Sequence, residues 1–316
     1  MNKLLKQVLL ICVCVFALCT QAVADSLSEA MQAFKEGDFT KAEQQFRPLA
    51  ENGNAVAQRV LGTMLARGIG VPQDFQEAIK WYTLSAEQGD AISQCELGSM
   101  YVTGQGVLQD YVKAEKWFRL AVGQGYAVAQ TNLGTMYFMG YGVTQNYNEA
   151  AKLYQLAAVQ GYSLAQSKLG KRYFEGEGVL QDFKEAVKWF QLAAEQNDAS
   201  AQYFLGEMFR NGQGVPQDYK EALQWERKAA EQNFSLAQVL LGNMYFNGQG
   251  TPRNYILSYM WTSIAATNEK LPVAQQKGVM DIRDSITHLM TTQQITKAQE
   301  LARKCTANNY KGCDKL

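Results

Sequence analysis

The sequence contains one histidine and five prolines, and no excess of charge of either sign: 30 Lys and Arg stand against 30 Asp and Glu in 316 residues. A lone His288 leaves no material for a His-rich metal site and argues against His-based acid–base catalysis. Zero net charge gives no electrostatic footprint for nucleic acid. Beyond the first 24 residues no apolar run approaches the ~18 residues that span a bilayer, so no stable membrane insertion is expected. The S-x-x-K, S-D-N and K-T-G motifs of penicillin-recognising enzymes are missing too. No cofactor, metal or catalytic set is expected.

The first 24 residues read as an address. Lys3 and Lys6 precede an unbroken apolar run from Val8 to Cys19, and Ala22-Val23-Ala24 offers a cleavage site before Asp25. That is the pattern of a secretory signal peptide. Its removal takes both lysines and leaves 28 basic against 30 acidic side chains, a net charge of −2. The expected location is the bacterial periplasm, with secretion as the alternative. Of six cysteines, Cys95, Cys305 and Cys313 remain.

A period of 36 residues governs the middle of the chain. Gly62, Gly98, Gly134, Gly170, Gly206 and Gly242 keep it without a slip, each after a leucine. A G-x-G pair recurs in every copy, from Gly68/Gly70 to Gly248/Gly250. A period of this length predicts a solenoid. Each unit reads as two helices. Helix A carries Ala57, Leu61 and Leu65 on one face and ends at the G-x-G turn. Helix B starts at Asp74, where Asp74-x-x-Glu77 fits a capping box, repeated at Asn146/Glu149, Asp182/Glu185 and Asp218/Glu221. Gly53, Gly89, Gly125, Gly161, Asn197 and Asn233 close helix B. The alanines at 42, 78, 114, 150, 186 and 222 mark close approaches of the two helices. Trp81, Trp117, Trp189, Trp225 and Trp261 fill the space between units. Leu153 for Trp and Arg172 for Met make the third-to-fourth junction a place for irregular packing.

The fold expected is all-α, a right-handed α-solenoid of paired antiparallel helices. Its parts are a leader (1–24), a capping unit with a short turn (25–53), six repeats (54–270) and a helical cap and tail (271–316). Within the tail, Cys305 and Cys313 are expected to form a disulfide in an oxidising compartment and pin the tail to the cap.

With these residues in place the chain resembles the Sel-one-like repeat (SLR) family, relatives of the tetratricopeptide repeats. One copy runs Ala165, Leu169-Gly170, Tyr173, then Val179, Asp182, Ala186, Trp189 and Ala193-Ala194. The resemblance covers about residues 54 to 268. The ending, with Tyr259-Met260-Trp261 and the stretch Met290 to Ala302, is similar to that of exported bacterial members. The resemblance implies a non-catalytic adaptor that holds a protein or peptide in its groove, with a glycan or peptidoglycan as the alternative ligand. It also implies two alternative roles: a secreted host-interaction factor, or a cell-wall or β-lactam-binding hydrolase-like protein. The branch given that last label carries a cysteine pair in every repeat, and this chain does not.

Other chemistry is outweighed by local structure. The G-x-G turns follow a helix rather than a strand, unlike dinucleotide loops. The recurrent Asp residues sit where helix N-caps belong. His288 is expected at a surface or capping position. Cys95 falls at a variable helix A position and is expected to face the groove or solvent. The face offset by two residues from the buried stripe supplies the expected partner-binding ladder: Arg59, Thr63, Ser99, Thr131, Thr135, Ser167, Lys171, Tyr203, Glu207 and Asn243. A second ladder, Phe138, Phe174 and Phe246, is interrupted by Arg210. Those phenylalanines either pack between units or, if exposed, anchor an extended peptide.

Overall fold

The computed structural model describes residues 24–315, so the leader expected over 1–24 lies outside them apart from Ala24. Among the described residues every regular element is helical. After α1 (residues 24–36) and α2 (Phe39–Glu51), helices A and B alternate. They are α3 (Ala55–Arg67), α4 (Phe75–Glu87), α5 (Ala91–Thr103), α6 (Tyr111–Gly123) and α7 (Ala127–Met139) in a first compact unit that ends at Gln145. The second unit, from Asn146, holds α8 (Tyr147–Ala158), α9 (Ser163–Glu175), α10 (Phe183–Glu195), α11 (Ala199–Asn211), α12 (Tyr219–Ala230), α13 (Ser235–Asn247) and α14 (Tyr255–Ala266). It closes with α15 (Val273–Thr287), α16 (Thr292–Ala307) and a 3₁₀ turn (Cys313–Lys315). Within each unit the strong contacts join helices adjacent in sequence, and α14 also packs on α16. This is the quasi-one-dimensional stacking of a solenoid.

The turns obey the residues that form them. The Asp74 carboxylate accepts the Glu77 N–H at 2.9 Å, and Asp110, Asn146, Asp182, Asp218 and Asn254 cap their helices in the same way. The return half of the expected capping box is not formed at Glu77 or Glu185. Glu77 accepts instead from Arg47 at 3.0 Å and from Trp81 Nε1 at 3.1 Å, and Glu185 takes Lys188 at 2.7 Å. A charge-assisted bond outcompetes a neutral backbone donor. Uncharged Gln294 does complete the box with Thr291. Gly53, Gly89, Gly125, Gly161, Asn197 and Asn233 all take positive φ after helix B.

The core lies between A and B. The six periodic alanines, from Ala42 to Ala222, are fully buried. The tryptophans fill less than the sequence predicts: Trp81, Trp117, Trp189 and Trp225 are half-buried and only Trp261 is enclosed. The enclosed ring is the next residue along, Tyr82, Phe118, Tyr154 or Phe190. In three of these pairs it lies against the helix A glycine: a Cβ on Gly62, Gly98 or Gly170 would meet the ring at 3.0, 2.6 or 2.9 Å.

A second device is polar. Gln58 Nε2 donates to the Ala50 carbonyl at 3.0 Å, and its own Oε1 accepts from Gln88 at 2.8 Å. Gln94 with Gln124, Gln166 with Gln196, and Gln202 with Gln232 repeat both bonds. Asn268 takes the place of the second glutamine beside Gln238. Each buried amide thus satisfies a C-terminal carbonyl of the preceding helix B, a group that burial would otherwise leave unpaired.

At the C-terminal end Cys305 and Cys313 are bridged, with Cα atoms 5.0 Å apart. The tail is not a loose polar end. Asp314 accepts from Trp261 Nε1 at 2.8 Å, from Arg227 Nε at 2.5 Å and from the Tyr245 hydroxyl. His288 is the C-cap residue of α15.

Candidate functional site

The ladder read from the sequence is more enclosed than expected. Among its residues Thr131 and Ser167 are buried, and so is Cys95 at the same register. Cys95 lies against the neighbouring helix A rather than facing an open groove: its Sγ accepts from Asn132 at 3.7 Å. Burial pushes the Cys95 thiol up to about 12, so it is no nucleophile at neutral pH. Several hydroxyls bond their own helix, Ser99 to the Cys95 carbonyl, Thr131 to Ala127 and Thr135 to Thr131. Thr63 accepts from the Tyr82 hydroxyl at 3.0 Å, and Arg59 donates to Asp90 at 3.2 Å. Lys171 pairs with Glu175 at 3.6 Å and lies over the Phe204 ring. Tyr203 packs on Phe204 and Phe234. Phe174 touches Phe183 and Phe204, so it packs between repeats.

The structure draws together Arg210, Asn243 and Phe246 in one cavity of about 580 Å³. α15 supplies the opposite wall with Asp281, Ile282, Ser285 and Ile286. Mixed apolar walls with a few convergent polar groups are the usual make-up of a ligand site. Glu207 lies within 3.5 Å of Arg210. Behind them stands Glu226, wholly buried on α12, with both carboxyl oxygens unpartnered. Burial, and then the charge of Glu207, push its carboxyl well above the usual range, with Arg210 opposing.

A larger cavity, about 920 Å³, opens on the helix B side of the second unit, between α8 and α9. Ala151 lines it, at the register held by Ile79, Val187 and Leu223 in other repeats. Its lining is mostly apolar, with Lys152, Gln155 and Asn148 at its edge. Arg172, one of the two departures read from the sequence at this junction, is buried against Glu175 and Glu177.

The Sel1 repeat model matches residues 55–90, 91–126, 127–162, 163–198, 199–234 and 235–269. The chain belongs to the Sel1 repeat family. Sel1 repeat proteins are in general non-catalytic scaffolds for protein–protein interaction. A similar solved structure is that of c5321, a protective antigen of uropathogenic Escherichia coli with an SLR fold. It is 31% identical, with a TM-score of 0.84 over 93% of this chain. The chain spans 64% of the length of that protein. A Sel1 repeat protein from Oxalobacter formigenes is also 31% identical, with a TM-score of 0.71 over 78% of this chain and 99% of its own. No protein of curated function matches the sequence.

Within this Sel1 array, reading the sequence found Arg210 as an interruption but missed Glu226. The signal was present: Glu226 is the one acid at a register otherwise filled by Tyr82, Phe118, Tyr154, Phe190 and Thr262. Glu226→Phe is expected to raise stability by about 1–4 kcal/mol, because a well-packed apolar residue replaces a buried unpaired carboxyl. The folded state holds Glu226 protonated above the pH at which the unfolded chain ionises. The wild type therefore loses stability as pH rises from about 4 towards neutrality. The gap between the variant and wild type should widen over that range. Urea unfolding at several pH values reads it, and a constant gap would refute the assignment.

Proposed function

We propose that this Sel1 repeat protein is an exported, non-catalytic scaffold that holds a protein or peptide partner along its helix A side in the second unit. The observation that carries this reading is the cavity where Arg210, Asn243 and Phe246 of the helix A row meet α15. Its charged, amide and aromatic groups suit an extended peptide, with anchors for side chains and partners for backbone amides. Export rests on the leader of residues 1–24, and the periplasm is the first location proposed. A secreted host-contact role is the second reading, favoured by the similarity to a protein described as a protective antigen.

The test is affinity capture from the native envelope fraction with tagged residues 25–316, beside an Asn243→Arg version that fills the cavity. A stoichiometric protein captured by the first and lost by the second supports the groove. Equal capture by both would move the partner elsewhere on the scaffold. Full-length chain found in the cytosol with its leader intact would end the export reading.

A further inference from the structure

The fifth repeat departs from the array at two neighbouring points. Glu226 replaces the aromatic ring that packs on the helix A glycine, and Arg210 stands at the register of Phe138, Phe174 and Phe246. Glu226 is 0% exposed, and its two oxygens and the Arg210 Nε are all buried without a partner. Glu226 Oε1 lies over Gly206, 2.7 Å from where a Cβ would stand. Gly206 and Arg210 are four residues apart, neighbours on one face of α11. An unpaired acid and an unpaired guanidinium edge therefore sit one helical turn apart in the same enclosed layer. Arg210 meanwhile reaches Glu207 only at 3.5 Å and lines the cavity with Asn243 and Asp281.

We propose that the fifth repeat is a proton-operated switch, in which neutral Glu226 leaves Arg210 lining the cavity and ionised Glu226 draws Arg210 inward to a buried ion pair. The proton lost by Glu226 goes to solvent, and no other group changes state. Few other charges face this point. α11 contributes Tyr203, Glu207 and Arg210. α13, the other helix packed strongly on α12, carries one titratable residue, Tyr245, which is held by Arg227 and Asp314. On α12 itself Arg227 is committed to Asp314, Lys228 lies over the Trp225 ring, and Tyr219, Lys220 and Glu221 stand more than a turn away in the first turn. Arg210 is thus the cation within reach. Buried carboxylates demand a partner, because desolvation of an unpaired charge is costly. As pH rises, the cavity loses its positive lining and keeps Asp281. The switch stands independently of which partner the groove holds.

An NMR titration of the full mature chain tests it, with ¹⁵N-labelled arginine and ¹³C-labelled glutamate carboxyls, from about pH 4 to about pH 9. The Glu226 carboxyl is expected to titrate well above the ordinary carboxylate midpoint, and the Arg210 Nε–H signal to move with the same midpoint. Glu226→Gln should abolish the Arg210 step, with circular dichroism reporting that the fold is kept. Arg210→Met offers a second reading that needs no Gln variant. It removes the positive charge and should raise the Glu226 midpoint further, since the guanidinium favours the charged form. A Glu226 carboxyl titrating in the ordinary range, or an Arg210 signal that ignores it, overturns the proposal. A Glu226 midpoint unmoved by Arg210→Met does the same.

Discussion

Gly178→Ala is expected to cost on the order of 3–5 kcal/mol and to unfold the second unit at temperatures the wild type survives. Gly178 has φ +76°, which L side chains rarely adopt. Space is the larger obstacle. A Cβ there would stand 2.0 Å from the Tyr147 carbonyl oxygen and 2.3 Å from its carbon. Both atoms are backbone, so no rotamer change relieves the clash and the first turn of α8 would have to move. Gly161 gives the contrast. Its φ is +87°, but nothing lies within 4 Å of the added atom. Gly161→Ala should therefore cost only the local strain, about 1–2 kcal/mol. Urea unfolding of the two variants separates strain from packing. Equal losses would show that backbone conformation alone sets the cost at Gly178.

Asp314→Ala should lose about 3 kcal/mol, more than any other change in the tail. Its carboxylate is shared by Trp261 Nε1, Arg227 Nε and the Tyr245 hydroxyl, and two of those three donors belong to residues buried in the last repeat. Removing the acceptor leaves them unpaired. The Gly312 N–H, bound to Glu231 at 3.0 Å, helps hold the acid in place. The Cys305–Cys313 bridge acts on the same segment by limiting the freedom of the unfolded tail, a contribution of about 2–3 kcal/mol in the loop-entropy picture. The two effects are therefore coupled. Cys313→Ser should cost clearly less in the Asp314→Ala background than alone, because the tail is already released. Thermal melts of the four proteins complete the cycle, and strict additivity would mean that bridge and carboxylate hold separate structures.

The sequence carried the fold well because one period wrote the same message six times. Leu61, Gly62 and the G-x-G turn each have a single structural use, so position and meaning coincide. The site was harder to read. Cys95, Thr131 and Ser167 look like an open face two residues from the buried stripe, but helix A is flanked by its own neighbours in the stack. A helix wheel drawn for one repeat omits that second burial. The glutamines at 58, 94, 166, 202 and 238 were passed over because an amide reads as surface until its partner 30 residues away is placed. Glu226 was hidden for the opposite reason. One charged residue within a helical register passes as a solvated position unless it is compared with its equivalents, where rings pack. Asp314, seven residues past the end of α16 in what reads as a polar tail, has no periodic neighbour at all to betray it.

The glutamine pairs have a meaning for how such a chain changes length. An amide gives and receives a hydrogen bond with the same group, so every rung offers its successor what it took from its predecessor. A block of 36 residues copied or deleted in register leaves no broken bond at the seam. Growth by whole repeats is then nearly neutral for the polar interior, while a gain or loss of any other size is not. Among the glutamine pairs described above, the last rung is different: Asn268, one methylene shorter than its counterparts, passes its second bond back to Asn233.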